Sequence, residues 1–182
     1  MKRFDRLQMA AGGLGVLLAA SISVSAHAAA ALDKPLQPLG FLVGEWEGGG
    51  PVPETGGRAH GFSTITAQAD GHVLVRSDRN DAFDGAGRLS HSFAQFMSIY
   101  ADKGGVYADY IDGDGHVIHY GPATVIDGKA VEFISVAASG APTFRLRYDA
   151  DGSNGLKIWF GSRPPGKATF APIAFGEIYR VK

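Results

Sequence analysis

Six histidines and a few closely spaced carboxylates are the residues of this 182-residue chain best suited to chemistry: His27, His60, His72, His91, His116 and His119, with Glu45, Glu47, Asp112, Asp114, Asp149 and Asp151. Glu45 and Glu47 stand two apart, so on a strand they share a face, and paired carboxylates can exchange protons. The same spacing is also the ordinary pattern of the wet face of an outer strand, and that is the reading adopted. His116 and His119 stand three apart, which suits neither a strand nor a helical metal pair, and no third ligand accompanies them in the sequence. Asp112-Gly113-Asp114-Gly115 and Asp149-Ala150-Asp151-Gly152-Ser153-Asn154-Gly155 resemble fragments of calcium loops. The second places Asn154 where the loop needs glycine and Phe160 where it needs a bidentate glutamate. Both therefore read as hairpin turns, and no metal is expected. The chain has no cysteine nucleophile, no Gly-x-Ser-x-Gly elbow, no phosphate loop and no His-Glu-x-x-His pair.

The elements that would position these groups are strands. Clusters such as Asp70-Gly71, Asp84-Gly85-Ala86-Gly87, Lys103-Gly104-Gly105, Asp112-Gly113, Asp127-Gly128 and Asp151-Gly152 recur every 10 to 15 residues. Asp-Gly pairs tolerate the positive φ angles of tight hairpins. Between them, apolar and polar residues alternate: Leu89, His91, Phe93, Gln95, Met97 and Ile99 share one face, as do Phe144, Leu146 and Tyr148, and Ile158 with Phe160. Alternation means one buried and one wet face, the antiparallel pattern. About ten strands are expected, preceded by a short helical turn over Pro35 to Val43. The fold class is all-β, an antiparallel up-and-down barrel, with a two-sheet sandwich as rival. The inward faces nominate His60 (beside Phe62), His91, Gln95 and Tyr148 as ligand-binding candidates.

Residues 1–28 have the three-part layout of a secretory signal: basic Lys2, Arg3 and Arg6, the apolar run Met9 to Val24, and Ala26-His27-Ala28 before a cut. The run is too short and too rich in glycine, alanine and serine for a membrane anchor, and the lack of cysteine excludes a lipid anchor. The expected product is a periplasmic or secreted single domain, residues 29–182. Without Lys2, Arg3, Arg6 and Asp5, the 17 basic and 18 acidic residues become 14 and 17, net −3. Such a balance lacks the cationic excess of a nucleic-acid binder.

Leu39 to Gly50, and within it Gly44-Glu45-Trp46-Glu47-Gly48-Gly49-Gly50, resembles the opening of a calycin barrel, the superfamily of lipocalins, fatty-acid-binding proteins and nitrobindins. Tyr107 to Tyr120 and Phe144-Arg145 add a similarity to uncharacterised bacterial secreted proteins of lipocalin-like fold. The resemblance implies a barrel in which an arginine of the last strand, here Arg180, packs over Trp46. Gly44, Trp46, Gly48 and Arg180 then form a structural signature and take no part in catalysis. Nitrobindins hold haem through a histidine near the C-terminus, but no histidine follows His119, so no cofactor is expected. The functional expectation is an exported barrel that binds a small, largely apolar molecule without catalysis. An exported enzyme acting on an envelope or small-molecule substrate is the alternative, and would need a histidine beside Asp or Glu; a ligand-free interaction scaffold using an exposed barrel edge or the loop Arg163-Pro164-Pro165-Gly166 is a third reading.

Overall fold

Leu36, Leu39 and Leu42 recur at three-residue spacing, the period of a 3-10 helix, in which side chains three apart eclipse on one side. In the computed structural model, which describes residues 31–52, 55–126 and 128–181, Lys34–Leu42 is such a helix and all three leucines are wholly buried. Asp33 caps it by accepting a hydrogen bond from the Lys34 amide at 2.8 Å, and Pro35 occupies the first turn. The expected signal segment, residues 1–28, lies outside the described residues.

Eleven strands follow, one more than the turn spacing suggests: β1 (Gly44–Val52), β2 (Gly57–Gln68), β3 (Val73–Phe83), β4 (Leu89–Asp102), β5 (Gly105–Asp112), β6 (Val117–Tyr120), β7 (Thr124–Ile126), β8 (Ala130–Ile134), β9 (Thr143–Asp151), β10 (Gly155–Arg163) and β11 (Ala171–Arg180). All pairings are antiparallel, in the order β6-β5-β4-β3-β2-β1-β11-β10-β9-β8-β7. Only β1 with β11 joins strands distant in sequence, which is the up-and-down arrangement of a curled sheet. Tyr120, at the end of β6, bridges to Ser135, just past β8. There the Gly121 amide donates to the Ile134 carbonyl at 3.0 Å and the Val136 amide to the His119 carbonyl at 2.8 Å. These bonds bring the two ends of the sheet together and leave the short β7 outside the ring.

Register fixes what faces inward. Trp46, 1% exposed, pairs with Ser63 on β2 and Arg180 on β11, and its face continues through Ile65, Leu74, Met97, Ile99, Tyr148 and Leu156. Antiparallel partners share a face, so each placement constrains the next. The leucines of the 3-10 helix close one end of the barrel against this core. Trp46 donates from Nε1 to the Leu42 carbonyl at 2.9 Å, and Arg180 donates from Nη1 to the Val43 carbonyl at 2.8 Å. The Arg180 guanidinium carbon sits 4.3 Å from the centre of the Trp46 ring, a cation–π distance. Gly44 leaves room for it, since a Cβ there would lie 2.1 Å from Arg180 Nη1.

Candidate functional site

Away from the helix-closed end, the inward residues shrink: Gly48 and Gly50 on β1, Ala59 and Gly61 on β2, Ala174 and Gly176 on β11. Small residues on three adjacent strands cannot fill the space between opposite walls. They leave a cavity of about 180 Å³ whose larger walls are Phe93, Tyr148, Ile158 and Phe160. Gly61 makes room for the Asn80 side chain, since a Cβ there would overlap Asn80 Oδ1. Apolar walls, a largely buried floor and an open side make up the usual architecture of a small-molecule site.

The floor is polar. Arg76 and Asp78 are consecutive inward residues of β3, both more than nine-tenths buried, with Nη2 2.6 Å from Asp78 Oδ2. Arg76 also donates from Nη1 to the Tyr148 hydroxyl and from Nη2 to Gln95 Oε1 at 3.1 Å. Gln95 accepts a second bond from Asn80 Nδ2 at 3.2 Å and donates from Nε2 to the Tyr110 hydroxyl at 2.7 Å. Tyr110 in turn donates to Asp112 Oδ2 at 3.2 Å. A hydrogen-bonded chain thus runs from the floor across β4 and β5 to the turn after β5. Burial alone would lower the Arg76 pKa, but the Asp78 carboxylate and the Tyr148 and Tyr110 hydroxyls outweigh it, so the net shift is upward. Burial raises the tyrosine hydroxyls: Tyr110 with help from Asp112, Tyr120 with help from Tyr148, and Tyr148 against the opposing pull of Arg76. The floor therefore carries one fixed ion pair and three protonated phenols at neutral pH.

The four candidate ligand residues are placed differently. Gln95 and Tyr148 line the cavity. His60 does not: its strand partner is Gly49, which puts it with Phe62 and Glu47 on the outer face, 3.4 Å from Glu47 Oε1. It does lie beside Phe62, with ring centres 5.6 Å apart, but Phe62 is itself an exposed outer residue, 53% accessible. The expected inward position of His60 is thereby corrected. His91 has the same parity as Gln95, yet β4 extends beyond the barrel there. Its ring is half-exposed, stacks on Phe93 at 5.5 Å and faces Asp114 at 3.5 Å. Sequence reasoning missed Arg76 and Asp78. The signal that could have found them is their spacing: opposite charges two apart on a strand fall on one face and neutralise each other.

Every histidine of the described residues stands beside a carboxylate, the arrangement an enzyme would need. The pairs are His60 with Glu47, His72 with Asp33 at 3.2 Å, His91 with Asp114, His116 with Asp112 at 3.0 Å and His119 with Asp109 at 2.6 Å. All five rings are at least 44% exposed and none lines the cavity. Asp112, Asp114 and His116 also bring one potential ligand atom each within 4.8 Å of one another, the grouping among the described residues best able to approach a cation. Sequence spacing paired His116 with His119 instead and found no third ligand. The Asp112 carboxylate already accepts the Asp114 amide at 3.1 Å and the His116 amide at 2.9 Å.

Those bonds have a consequence for pH. Partial burial raises the Asp112 pKa, but the His116 amide and ring and the Tyr110 hydroxyl outweigh burial and hold it below the ordinary 3.8. A depressed folded pKa contributes stability that is complete above the unfolded value and lost as pH falls through the folded one. Denaturant midpoints should therefore drop as pH is lowered below about 3.8, and Asp112→Asn should remove part of that acid-dependent drop. Parallel pH curves for the two proteins would contradict this.

No protein-family model matches the chain, and no curated protein matches it. Among solved structures, the chain is similar to EF1p2_mFAP2b, determined bound to DFHBI, with 11% sequence identity, a TM-score of 0.45, and coverage of 81% of this chain and 99% of that one.

Proposed function

We propose that the protein is an exported, calycin-like barrel that binds one small, largely apolar molecule in its interior, without catalysis or cofactor. The observation that carries this reading is the cavity of about 180 Å³, walled by Phe93, Ile158 and Phe160 above a hydrogen-bonded polar floor. Volume sets the class of ligand. A dry apolar cavity of about 150 Å³ is enough for benzene, so this interior suits a single ring with small substituents. Against haem, no histidine among the described residues lines the cavity. The basic, apolar and small-residue segments of residues 1–28 support export to the periplasm or beyond. The exposed histidine–carboxylate pairs lie outside the concave site, which favours binding over the enzymatic alternative.

Calorimetric titration with toluene tests the reading. Saturable one-to-one binding is expected, and Ala174→Phe, which adds a ring to the cavity wall, should abolish it while the fold remains. An absence of binding by the unaltered protein, or equal binding by the variant, would overturn the proposal.

A further inference from the structure

Three of the four buried side-chain polar atoms that lack a hydrogen-bond partner among the described residues belong to residues that line the cavity: Ser63 Oγ, Arg76 Nε and Asp78 Oδ1. The fourth, Arg145 Nε, lies on the outer face, where its guanidinium covers Trp159. The three are neighbours by register, since Ser63 pairs with Asp78 across β2 and β3 and Arg76 is the next inward residue of β3. Buried polar groups are nearly always paired in folded proteins, and an unpaired one is costly. Three together on the floor of one cavity point to a ligand group that completes them.

Resting on the binding reading above, we infer that the ligand's polar end is an uncharged group that both donates and accepts hydrogen bonds, a hydroxyl or a primary amide, seated over Ser63, Arg76 and Asp78. The donor inventory decides this. Asp78 Oδ1 only accepts, Arg76 Nε only donates, and the Ser63 hydroxyl does both. A hydroxyl donates to Asp78 and accepts from Arg76 or Ser63. A carboxylate accepts only, leaves Asp78 Oδ1 unsatisfied and brings a second negative charge to it. An ammonium donates only, leaves Arg76 Nε unsatisfied and adds a positive charge beside the guanidinium. Arg76 and Asp78 are the two charged side chains lining the cavity among the described residues, and they already neutralise each other at 2.6 Å. A charged ligand would give up its hydration without gaining a counter-ion.

Four probes of one shape separate the cases: p-cresol, toluene, p-toluate and p-methylbenzylammonium, titrated into the same protein at neutral pH. The expected result is that p-cresol binds about tenfold or more tightly than toluene, the scale of one hydrogen bond to a charged group, and that both ions bind more weakly than toluene. Ser63→Ala should reduce the p-cresol to toluene ratio, and Asp78→Asn should reduce it further while letting p-toluate gain on p-cresol. Glu47→Gln, on the outer face, should leave the ranking unaltered. If Asp78→Asn fails to fold, the ranking in the unaltered protein and in Ser63→Ala still decides. Toluene binding with no preference for p-cresol, or with p-toluate tightest, would overturn this inference and leave the binding reading standing. No binding by any of the four would overturn both.

Discussion

Arg76→Met should lower the unfolding free energy by about 3–5 kcal/mol, the usual result of stranding one member of a buried ion pair. Asp78 is more than nine-tenths buried, and its Oδ2 depends on Arg76 at 2.6 Å. The substitution also removes the donors to Tyr148 and to Gln95 Oε1. The double variant Arg76→Met/Asp78→Leu should recover most of the loss, because replacing a whole buried pair by apolar groups of similar size is often neutral or stabilising. Urea denaturation of the parent, both single variants and the double variant measures the coupling between the two residues. Losses of the two single variants that simply add in the double variant would show that the pair is not coupled. The same double variant would lose the charged floor and with it most of the preference for a hydroxyl-bearing ring, so stability and selectivity respond to one change in different directions.

Trp46→Ala should cost about 3–5 kcal/mol as well, for a different reason. The indole is 1% exposed and occupies the junction where β1, β11 and the 3-10 helix meet. Truncation opens a void between Leu42 and the Arg180 guanidinium, which then lacks the ring it covers at 4.3 Å. Arg180 keeps its bond to the Val43 carbonyl at 2.8 Å, so the barrel end is expected to loosen without losing its closure entirely. Trp46→Phe, which preserves an aromatic face but not the Nε1 donor, should cost distinctly less. Guanidinium unfolding of the two variants checks the order, and a Trp46→Ala loss below that of Trp46→Phe would contradict the assigned role.

Much of this architecture was legible in the alternation of residue types. Leu146 and Tyr148, Ile158 and Phe160, and Met97 and Ile99 all face inward as their period of two requires. Hairpin spacing foretold antiparallel neighbours, though not the three-residue β7, which is too short to show a period. The polar floor escaped because it breaks the rule that made the rest readable. Leu74, Arg76, Asp78 and Asn80 alternate along one inward face, but charge at buried positions reads as a wet face until the pairing of Arg76 with Asp78 is recognised. Phe62 misled in the opposite sense: an exposed aromatic on the outer face made its neighbour His60 look internal. His91 shows that parity gives the face and not the depth, since β4 carries it past the cavity it was expected to line. No local pattern could report that Ala174, far away in sequence, meets the hairpin partners Gly48 and Gly61 across adjacent strands to make the space.

Whether that space receives a ligand is the central claim, and diffraction from crystals exposed to iodobenzene tests it most directly. The account predicts an iodine anomalous peak inside the barrel, within contact of Phe160 and Tyr148 and absent in Ala174→Phe. An interior closed by its own side chains, with iodine only on the outer surface, would contradict it.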